Sequence, residues 1–383
     1  MTRWICKLLE ELDIQPIVAW YAPWRNYPSL SVPSYRIIRG AKPKLVHQVA
    51  FERYDSFGIG SWLPELEFTH YLPSLRWKKL IYNCDLHLAV SGNALCALPY
   101  LKSQIPFLAW IATPWQADRK DRIREFSLPR RILDTVINTP VLRNFEKKIL
   151  NASEGQILCL SNYTSKEIGR LSNIMNDNIM YMPVNTSLFK PDHKKTKPWR
   201  IGFSGRYCDP RKNIELLLVA TQILIDQDHP IELILVGDKN AESIRSLVHS
   251  YGLEKNVFCY THMAPNNLAP LLQTFDIFAI PSHQEGLCIA ALEAMACGVP
   301  VVSTRCGGPE DFVHPGITGE LVAQNADDFA LVIKSLCIDR EKRNQLATAA
   351  INWIEKHASE DISRLVFQNH LRSYAKRKGI KIF

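Results

Sequence analysis

The chain has 383 residues, 46% of them apolar and 22% charged, with a net charge of +8, which is the composition of a folded globular protein. This length predicts two domains, and no apolar run approaches the roughly 18 residues that would cross a bilayer. The ten cysteines form no C-x-x-C pair, so we expect buried thiols in the cytoplasm rather than disulfides or a zinc site.

In chain order, the first 12 residues form an amphipathic pattern with acidic residues, which indicates a helix at 4–12 rather than a signal peptide. Short apolar runs then alternate with helical patterns, as is typical of a doubly wound α/β sheet. The first half predicts strands at 15–20, 86–91, 107–113, 156–161 and 179–183. The second half predicts strands at 200–204, 231–237, 257–260, 277–281 and 299–303, with helices at 214–226, 241–251 and 326–337.

The two series of strands predict two Rossmann-like domains, at 1–190 and 199–355. Between them, 191–198 is charged, lacks apolar residues and is bracketed by prolines, which predicts a linker. Residues 356–383 predict a helix and a basic tail that pack back on the first domain. A doubly wound domain usually begins with a strand and a glycine turn, and this chain is expected to lack both, either because its start is assigned too late or because this copy has lost them.

The most informative motif occupies residues 281–302, with the sequence PSHQEGLCIAALEAMACGVPVV. It predicts a strand, a loop, a buried helix at about 287–297 and a second strand, with Gly298 as the C-cap of the helix. The unpaired N–H groups at the start of the helix, together with Gly286, suit a diphosphate.

Glu293 lies among alanines, a leucine and a methionine in this helix, where a carboxylate is costly to bury unless a polar group meets it. A ribose or sugar diol is one such group, and a core Arg or Lys is the alternative. Glu285, eight residues earlier, favours the ligand.

A second motif follows the strand at 200–204, where a glycine turn leads through several cations into a helix: GRYCDPRKN at 205–213. Two fixed cations near a helix N-terminus can neutralise a diphosphate leaving group. A charged loop without a ligand is the alternative interpretation of this segment taken alone.

Both motifs resemble those of the family 4 retaining glycosyltransferases (glycosyl transferases group 1), which adopt the GT-B fold of two Rossmann-like domains facing across a cleft. The resemblance is close over 199–311 and loose elsewhere. It implies catalytic roles for Glu285, which would face the sugar hydroxyls, and for Arg206 and Lys212. It implies that Glu293 meets the ribose. Further binding residues are implied at Gly205, Arg211, Gly286, Leu287 and Cys288.

The sequence departs from the family at Leu287 and Cys288, where Phe-Gly is usual, so we expect Cys288 to narrow the sugar pocket. The family often has its second cation one residue earlier, which leaves Arg211 as the alternative to Lys212. Asp238 and the pair His262 and Met263 fall where the family approaches the nucleotide. Residues 307–310, Gly-Gly-Pro-Glu, resemble a family turn and are equally compatible with a simple turn.

The first half is expected to bind the acceptor. Many relatives have a functional His near the end of the strand at 107–113, where this chain has Ala112 and Thr113. His47, His70 and His87 are available, and a structural role is the expectation for each.

Positive charge is concentrated in the first half: residues 1–198 carry 27 Lys or Arg and 17 Asp or Glu, against 19 and 21 in 199–383. The basic clusters at 76–79, 119–124, 130–131 and 147–148, with Trp77 and Trp115 nearby, predict an anionic membrane surface as partner rather than nucleic acid. An ordinary solvated face is the alternative.

The sequence therefore predicts a metal-independent, retaining hexosyltransferase-like enzyme without a cofactor, which moves a sugar from a nucleotide-diphosphate sugar to an acceptor hydroxyl. A glycan or lipid-linked acceptor, in envelope polysaccharide or glycolipid synthesis, fits the basic first half. The alternatives are a nucleotide-sugar-binding protein with impaired catalysis and a GT-B sugar epimerase.

Overall fold

The chain folds into two compact units in the computed structural model, which describes residues 1–23, 26–119, 123, 126–172, 176–192, 199–238 and 240–382. The N-terminal unit comprises Met1–Leu160, Thr164–Ile179 and Phe367–Phe383, and the C-terminal unit comprises Ser161–Tyr163 and Met180–Val366. Most of the predicted linker, 193–198, and most of the basic cluster at 119–124 lie outside the described residues.

The N-terminal unit contains two separate three-stranded sheets. Their strands are β1 (Val18–Tyr21), β2 (Leu45–Ala50), β3 (Tyr54–Ile59), β4 (Leu88–Ser91), β5 (Phe107–Ile111) and β6 (Gly155–Cys159). The first sheet has the order β1-β3-β2, with β1 parallel and β2 antiparallel to β3. The second has the order β4-β5-β6 and is entirely parallel, and every residue of its central strand β5 is buried.

Helices surround these sheets: α1 (Thr2–Glu11), α2 (Ser34–Ile37), α3 (Leu75–Tyr82), α4 (Leu98–Lys102), α5 (Trp115–Arg119), α6 (Leu128–Leu133), α7 (Thr139–Leu150) and α8 (Asn162–Ser172). Four predicted strands of this half are confirmed within a few residues, and the helix predicted at 4–12 is α1. The strand predicted at 179–183 is wrong. Ile179 makes only an isolated bridge with Cys159, because the chain passes from one unit to the other after this residue.

The two sheets are separated by a cavity of about 640 Å³, lined by β1, β4 and α1 together with Ile380 and Ile382. Among the described residues, β1 pairs only with β3 and β4 pairs only with β5, so each sheet presents an edge strand to this cavity. The single sheet expected for this half is therefore interrupted at that point.

The C-terminal unit contains one six-stranded parallel sheet of order β12-β11-β10-β7-β8-β9. Its strands are β7 (Trp199–Ser204), β8 (Ile231–Val236), β9 (Val257–Tyr260), β10 (Ile277–Ile280), β11 (Val301–Thr304) and β12 (Gly319–Val322). The first five correspond to the predicted strands. β10 and β11 are buried along their whole length, and β10 is accordingly a continuous apolar run in the sequence.

The helices of this unit are α9 (Ile214–Asp226), α10 (Glu242–Ser250), α11 (Pro265–Leu272), α12 (Ile289–Ala296), α13 (Ala326–Ile338) and α14 (Arg340–His357). α9 has the predicted bounds, and α12 is the predicted buried helix, shorter at both ends. Gly298 adopts φ +73° directly after it, as expected of a C-terminal cap.

The last helix, α15 (Glu360–Arg377), begins in the C-terminal unit and ends in the N-terminal unit. Within the N-terminal unit its Tyr374 accepts a hydrogen bond from the His87 backbone N–H (2.9 Å) and donates one to the Pro106 carbonyl (2.9 Å). Across the described part of the chain, no helix combines the length and the apolar character needed to cross a bilayer.

Candidate functional site

The residues singled out by the sequence in the second half follow four neighbouring strands of one sheet. β10, β7, β8 and β9 are adjacent and parallel, so their carboxyl ends lie at the same edge of the sheet. The segments 281–288, 205–213, 237–238 and 261–263 leave the sheet at that edge. Ligands of open α/β sheets bind there.

The loop after β7 is organised by Asp209, which binds two arginines. Arg211 is buried and forms a bidentate contact with its carboxylate, Nε–Oδ1 3.1 Å and Nη2–Oδ2 2.8 Å. Arg206 lies 3.0 Å from the same carboxylate but is 59% exposed. Burial alone would raise the pKa of Asp209, yet the Arg211 guanidinium outweighs it and holds the pKa at about 2.

Lys212 and Glu285 form a largely buried ion pair that joins the loops after β7 and β10. The Nζ–Oε1 distance is 2.5 Å, and Ser282 Oγ donates to the same oxygen at 2.7 Å. Burial opposes the charged ammonium, but the carboxylate outweighs it and raises the pKa of Lys212 above its usual value. Two of the three residues that the resemblance places in catalysis are therefore in direct contact.

The cations of this edge are partly compensated by carboxylates of the protein. Arg206 and Arg211 face Asp209, and Lys212 faces Glu285. Of these three cations, Arg206 is the one with a highly exposed side chain. An incoming diphosphate would share Lys212 with Glu285.

Backbone hydrogen bonds connect three loops around this ion pair. His283 N–H donates to the Arg211 carbonyl at 2.7 Å, and Glu285 N–H donates to the Cys306 carbonyl at 2.8 Å. Gly308 N–H in turn donates to the Glu285 carbonyl at 2.9 Å, and a Cβ added at Gly308 would lie 2.3 Å from the Gly286 carbonyl oxygen. The loops approach too closely for a side chain there.

The Gly-Gly-Pro-Glu segment at 307–310 therefore has a structural role at this edge. Gly307 has φ +105°, and its N–H donates to the Glu310 carboxylate at 3.1 Å, which closes the turn. Gly286 also accepts a hydrogen bond from Ser161 Oγ at 2.7 Å.

Cys288 immediately precedes α12 in a left-handed conformation, with φ +70°. Such a conformation is strained for a residue with a Cβ. Leu287 is buried, and burial raises the pKa of the Cys288 thiol, so this thiol is neutral. The departure from the family pattern thus places a side chain where the backbone favours glycine.

Glu293 is half-buried on the second turn of α12. Burial raises the pKa of its carboxyl to about 7. Within the part of the chain that the structure describes, no hydrogen bond or ion pair is made by this side chain. The core Arg or Lys that was the alternative partner is not found among those residues.

The remaining candidates of this half lie at the same edge but outside the ion-pair cluster. Asp238 Oδ2 accepts a hydrogen bond from Cys208 N–H at 2.9 Å, which ties the end of β8 to the loop after β7. His262 is exposed and Met263 is half-buried directly after β9. Nowhere in the described ranges do three or more His, Cys, Asp or Glu side chains form a group that could hold a metal ion.

In the N-terminal unit, the three histidines have structural surroundings. His87 is buried, with Nε2 2.9 Å from the Ile81 carbonyl, and His70 is largely buried, so that burial lowers the pKa of its imidazole. His47 pairs with Asp55 at 2.8 Å on an exposed strand. Thr113, which follows β5, is buried.

The prediction that Trp77 and Trp115 contact a membrane surface is wrong. Trp77 is 5% exposed and Trp115 is 4% exposed, because both rings pack inside the N-terminal unit. Any surface of this unit that contacts lipid must use other apolar side chains.

Sequence reasoning did not single out three residues that organise the site: Asp209, Ser282 and Gln284. Gln284 accepts a hydrogen bond from Arg211 Nη1 at 3.2 Å. An Asp-Pro-Arg sequence, with Asp as the cap of a short turn, could have indicated the first. Side-chain contacts between distant loops could not have been inferred from spacing.

Comparison with known proteins agrees with this geometry. Residues 185–353 match the family model described as Glycosyl transferases group 1. The predicted resemblance to glycosyl transferases group 1 is therefore confirmed over this segment, which is less than half of the chain. The matched segment contains every site residue named above in the second half.

Curated proteins similar to this chain include the D-inositol 3-phosphate glycosyltransferases of Rhodococcus opacus (strain B4) and Arthrobacter sp. (strain FB24). The first is 30% identical over 169 residues, 42% of this chain and 38% of the relative. The second is 34% identical over 158 residues, 39% of this chain and 36% of the relative. The matches thus span less than half of each relative's length.

Two solved structures share the fold of this chain. Sucrose-phosphate synthase from Thermosynechococcus elongatus has a TM-score of 0.69 at 19% identity, covering 88% of this chain and 86% of that one. Anabaena HepE in complex with UDP and glucose has a TM-score of 0.66 at 16% identity, covering 97% and 95%. The fold is GT-B, with Rossmann-like units, as expected.

Proposed function

We propose that this protein is a retaining glycosyltransferase that moves a sugar from a nucleotide-diphosphate sugar to an acceptor hydroxyl. The observation that carries the proposal is the Lys212–Glu285 ion pair at the carboxyl ends of β7 and β10. A buried cation that is tied to a carboxylate at a ligand-binding edge can hold a phosphate oxygen on one side and position a sugar hydroxyl on the other.

In the proposed reaction, the bond between the anomeric carbon and the diphosphate oxygen breaks, and its electron pair stays on the diphosphate. Arg206 and Lys212 stabilise the negative charge that develops there. The acceptor oxygen forms the new bond on the face from which the diphosphate departs. Its proton passes to the leaving phosphate. Because the new bond forms on the face that the old bond leaves, the configuration at the anomeric carbon is kept.

Glu285 and Glu293 have different parts in this proposal. Glu285 holds Lys212 and uses its remaining acceptor capacity for the sugar hydroxyls. Glu293, which has no partner among the described residues, accepts hydrogen bonds from the ribose diol. Fixed cations take the part that a divalent metal ion has in other transferases, so we propose transfer without added metal.

The donor in the HepE complex is the guide to the first ligand to test. That structure holds UDP and glucose, and a related one holds UDP-glucose. We therefore propose uridine diphosphate sugars as the first class of donor. For the acceptor we propose a glycan or a lipid-linked hydroxyl in envelope polysaccharide or glycolipid synthesis, presented at an anionic membrane surface on the cytoplasmic side.

The test is incubation with a panel of nucleotide-diphosphate sugars in a metal chelator, with and without lipid-linked acceptors. Binding is followed by the shift of the melting temperature, and products are followed by NMR of the anomeric proton. We expect a thermal shift with one nucleotide class and a product that keeps the donor's anomeric configuration. Donor binding without sugar transfer would contradict the proposed transferase activity and favour a nucleotide-sugar-binding protein. An altered free sugar would indicate an epimerase.

A further inference from the structure

The outer side of the helical stretch 128–150 in the N-terminal unit carries a row of exposed aliphatic side chains. α6 continues through a wider turn, Asp134–Asn138, into α7. Leu128 is 73% exposed, Ile132 63% and Val136 66%. Residues four apart lie on the same side of a helix, so these three form one apolar row.

All the exposed charges of the same stretch are positive. They are Arg130, Arg131, Arg143, Lys147 and Lys148. The stretch contains two acidic residues, and both are buried and have partners inside the protein. Asp134 binds Arg119, and Glu146 accepts a hydrogen bond from Trp115 N–H at 2.7 Å. We call this surface, the exposed residues of 128–150, the basic face.

Neighbouring helices extend the same character. α3 contacts α4, and α4 contacts α7. On α3, which contains no acidic residue, Leu75 is 85% exposed and Tyr82 65% exposed, and Lys78 and Lys79 are exposed between them. A helix close to the stretch 128–150 thus also exposes apolar and cationic side chains.

We propose that the basic face binds the surface of an anionic lipid bilayer, with Leu128, Ile132 and Val136 inserted below the headgroups and the arginines at phosphate level. An interfacial helix has this combination of an aliphatic row and flanking cations. The inference deepens the proposed function, because a lipid-linked acceptor would be met at that surface.

A second copy of this chain and a nucleic acid both fit the basic face less well than a lipid surface. A second copy of this chain would bring another set of five cations against the first, and that repulsion opposes self-association through the basic face. Nucleic acid would be met by the arginines, but it gives no role to three exposed aliphatic side chains.

Vesicle flotation of the whole chain tests the proposal. Vesicles of equal parts phosphatidylcholine and phosphatidylglycerol are compared with pure phosphatidylcholine, at low and at high salt. The variants are Leu128→Gln/Ile132→Gln/Val136→Gln and Arg130→Gln/Arg131→Gln. All five side chains are exposed, so both variants should fold. Leu331→Gln is the matched control, since Leu331 is 65% exposed on α13 of the other unit.

We expect wild type and the control to bind anionic vesicles only at low salt. The arginine variant should lose about thirtyfold in partition coefficient, since each cation near the surface contributes about 1 kcal/mol. The aliphatic variant should lose about tenfold or more. Equal binding by wild type and both variants would overturn the proposal, as would binding that is equally strong to neutral vesicles.

Two further readouts separate this proposal from others. Sedimentation of the same proteins without lipid detects self-association, and a dimer that the aliphatic variant abolishes would overturn the lipid assignment. Calorimetric titration with a nucleoside diphosphate should be unchanged in both variants. Loss of vesicle binding with intact nucleotide binding supports the basic face, whereas absent nucleotide binding in wild type contradicts only the proposed function.

Discussion

The two units of this chain are built from similar strands but differ in how these strands join. The C-terminal unit has one six-stranded parallel sheet whose carboxyl edge brings Arg206, Lys212 and Glu285 together. The N-terminal unit has two three-stranded sheets with a cavity between β1 and β4. Apolar patterning predicts strands in both units, but only the C-terminal unit has the continuous edge that a nucleotide site needs.

A second contrast concerns one buried glutamate in each unit. Burial raises the pKa of both Glu146 and Glu293 to about 7. Glu146 is stabilised by backbone N–H groups of Trp115, Gln116 and Ala94, whereas Glu293 has no such partner among the described residues. The same pKa thus reflects a structural carboxylate in one unit and, we propose, a ligand-binding one in the other.

Removal of the site's central ion pair should have the largest effect. Lys212→Met/Glu285→Gln removes both charges and so avoids leaving one of them buried alone. We expect turnover with the best donor to fall about 100- to 1,000-fold, because a charge-stabilising group is lost from the transition state. Steady-state kinetics measures it. Lys342→Met/Glu320→Gln, a Lys–Glu pair at 2.7 Å outside the site, is the control and should retain activity. Equal loss in both would contradict the assignment.

A glycine in each unit tests how tightly the strand ends are packed. At Gly237, after β8, an added Cβ would lie 2.2 Å from the Gly205 carbonyl oxygen, whereas at Gly92, after β4, nothing lies within 4 Å. Gly237→Ala should lower the free energy of unfolding by about 1–3 kcal/mol. Gly92→Ala should change it little. Urea unfolding measures both, and a similar loss at Gly92 would show that the two edges do not differ.

The contrast between Glu293 and Glu146 predicts that only the Gln variant of Glu293 changes nucleotide affinity. Glu293→Gln should weaken nucleotide binding about tenfold at pH 8, because hydrogen bonds to a charged acceptor are the stronger ones. In wild type the affinity should fall as the pH drops through about 7, the pKa of Glu293, and the variant should lack this dependence. Calorimetric titration measures it.

Glu146→Gln is the matched control and should leave both affinity and its pH dependence unchanged. Stability gives a second readout for Glu293. The folded pKa of about 7 lies above the unfolded value of 4.5, so ionisation disfavours the folded state and stability falls as the pH rises between them. Glu293→Gln should flatten this part of the profile, and an unaltered profile would argue against a buried, unpartnered carboxylate.

The smallest expected effect is a gain in stability. Cys288 has φ +70°, a conformation that costs a side-chain-bearing residue about 1 kcal/mol relative to glycine. Cys288→Gly should therefore raise the free energy of unfolding by up to about 1 kcal/mol and leave nucleotide binding intact. Thermal melts check it, with Cys208→Gly, an exposed thiol at the same edge, as comparison. A loss of stability would mean that Cys288 packing outweighs its strain.

The sequence was a good guide where local pattern determines structure. The fully buried strand β10 is a continuous apolar segment, and α9, which is largely apolar, has the predicted bounds. β2 was missed because it is a largely exposed antiparallel strand without such a run. β12 was missed because it is four residues long and its two central residues are half-buried.

The residues of the candidate site could be predicted from the sequence, but the contacts between their side chains could not. The two motifs and the family resemblance indicated Glu285, Glu293, Arg206 and Lys212. Sequence reasoning did not indicate that Asp209 holds Arg211, because pairing within a loop depends on side-chain direction rather than on sequence distance. It also mistook Trp77 and Trp115 for surface residues, since a basic cluster says nothing about which neighbours point inward.

Calorimetric titration of a nucleoside diphosphate against its nucleoside tests the central claim most directly. The claim is that the cations after β7 recognise a diphosphate. Wild type should bind uridine diphosphate at least about tenfold more tightly than uridine, since charge-assisted contacts each contribute about 1.5–3 kcal/mol. Arg206→Gln/Lys212→Met/Glu285→Gln should lose that difference and keep its weak affinity for uridine. Equal affinities in wild type, or a difference that survives in the variant, would contradict the account.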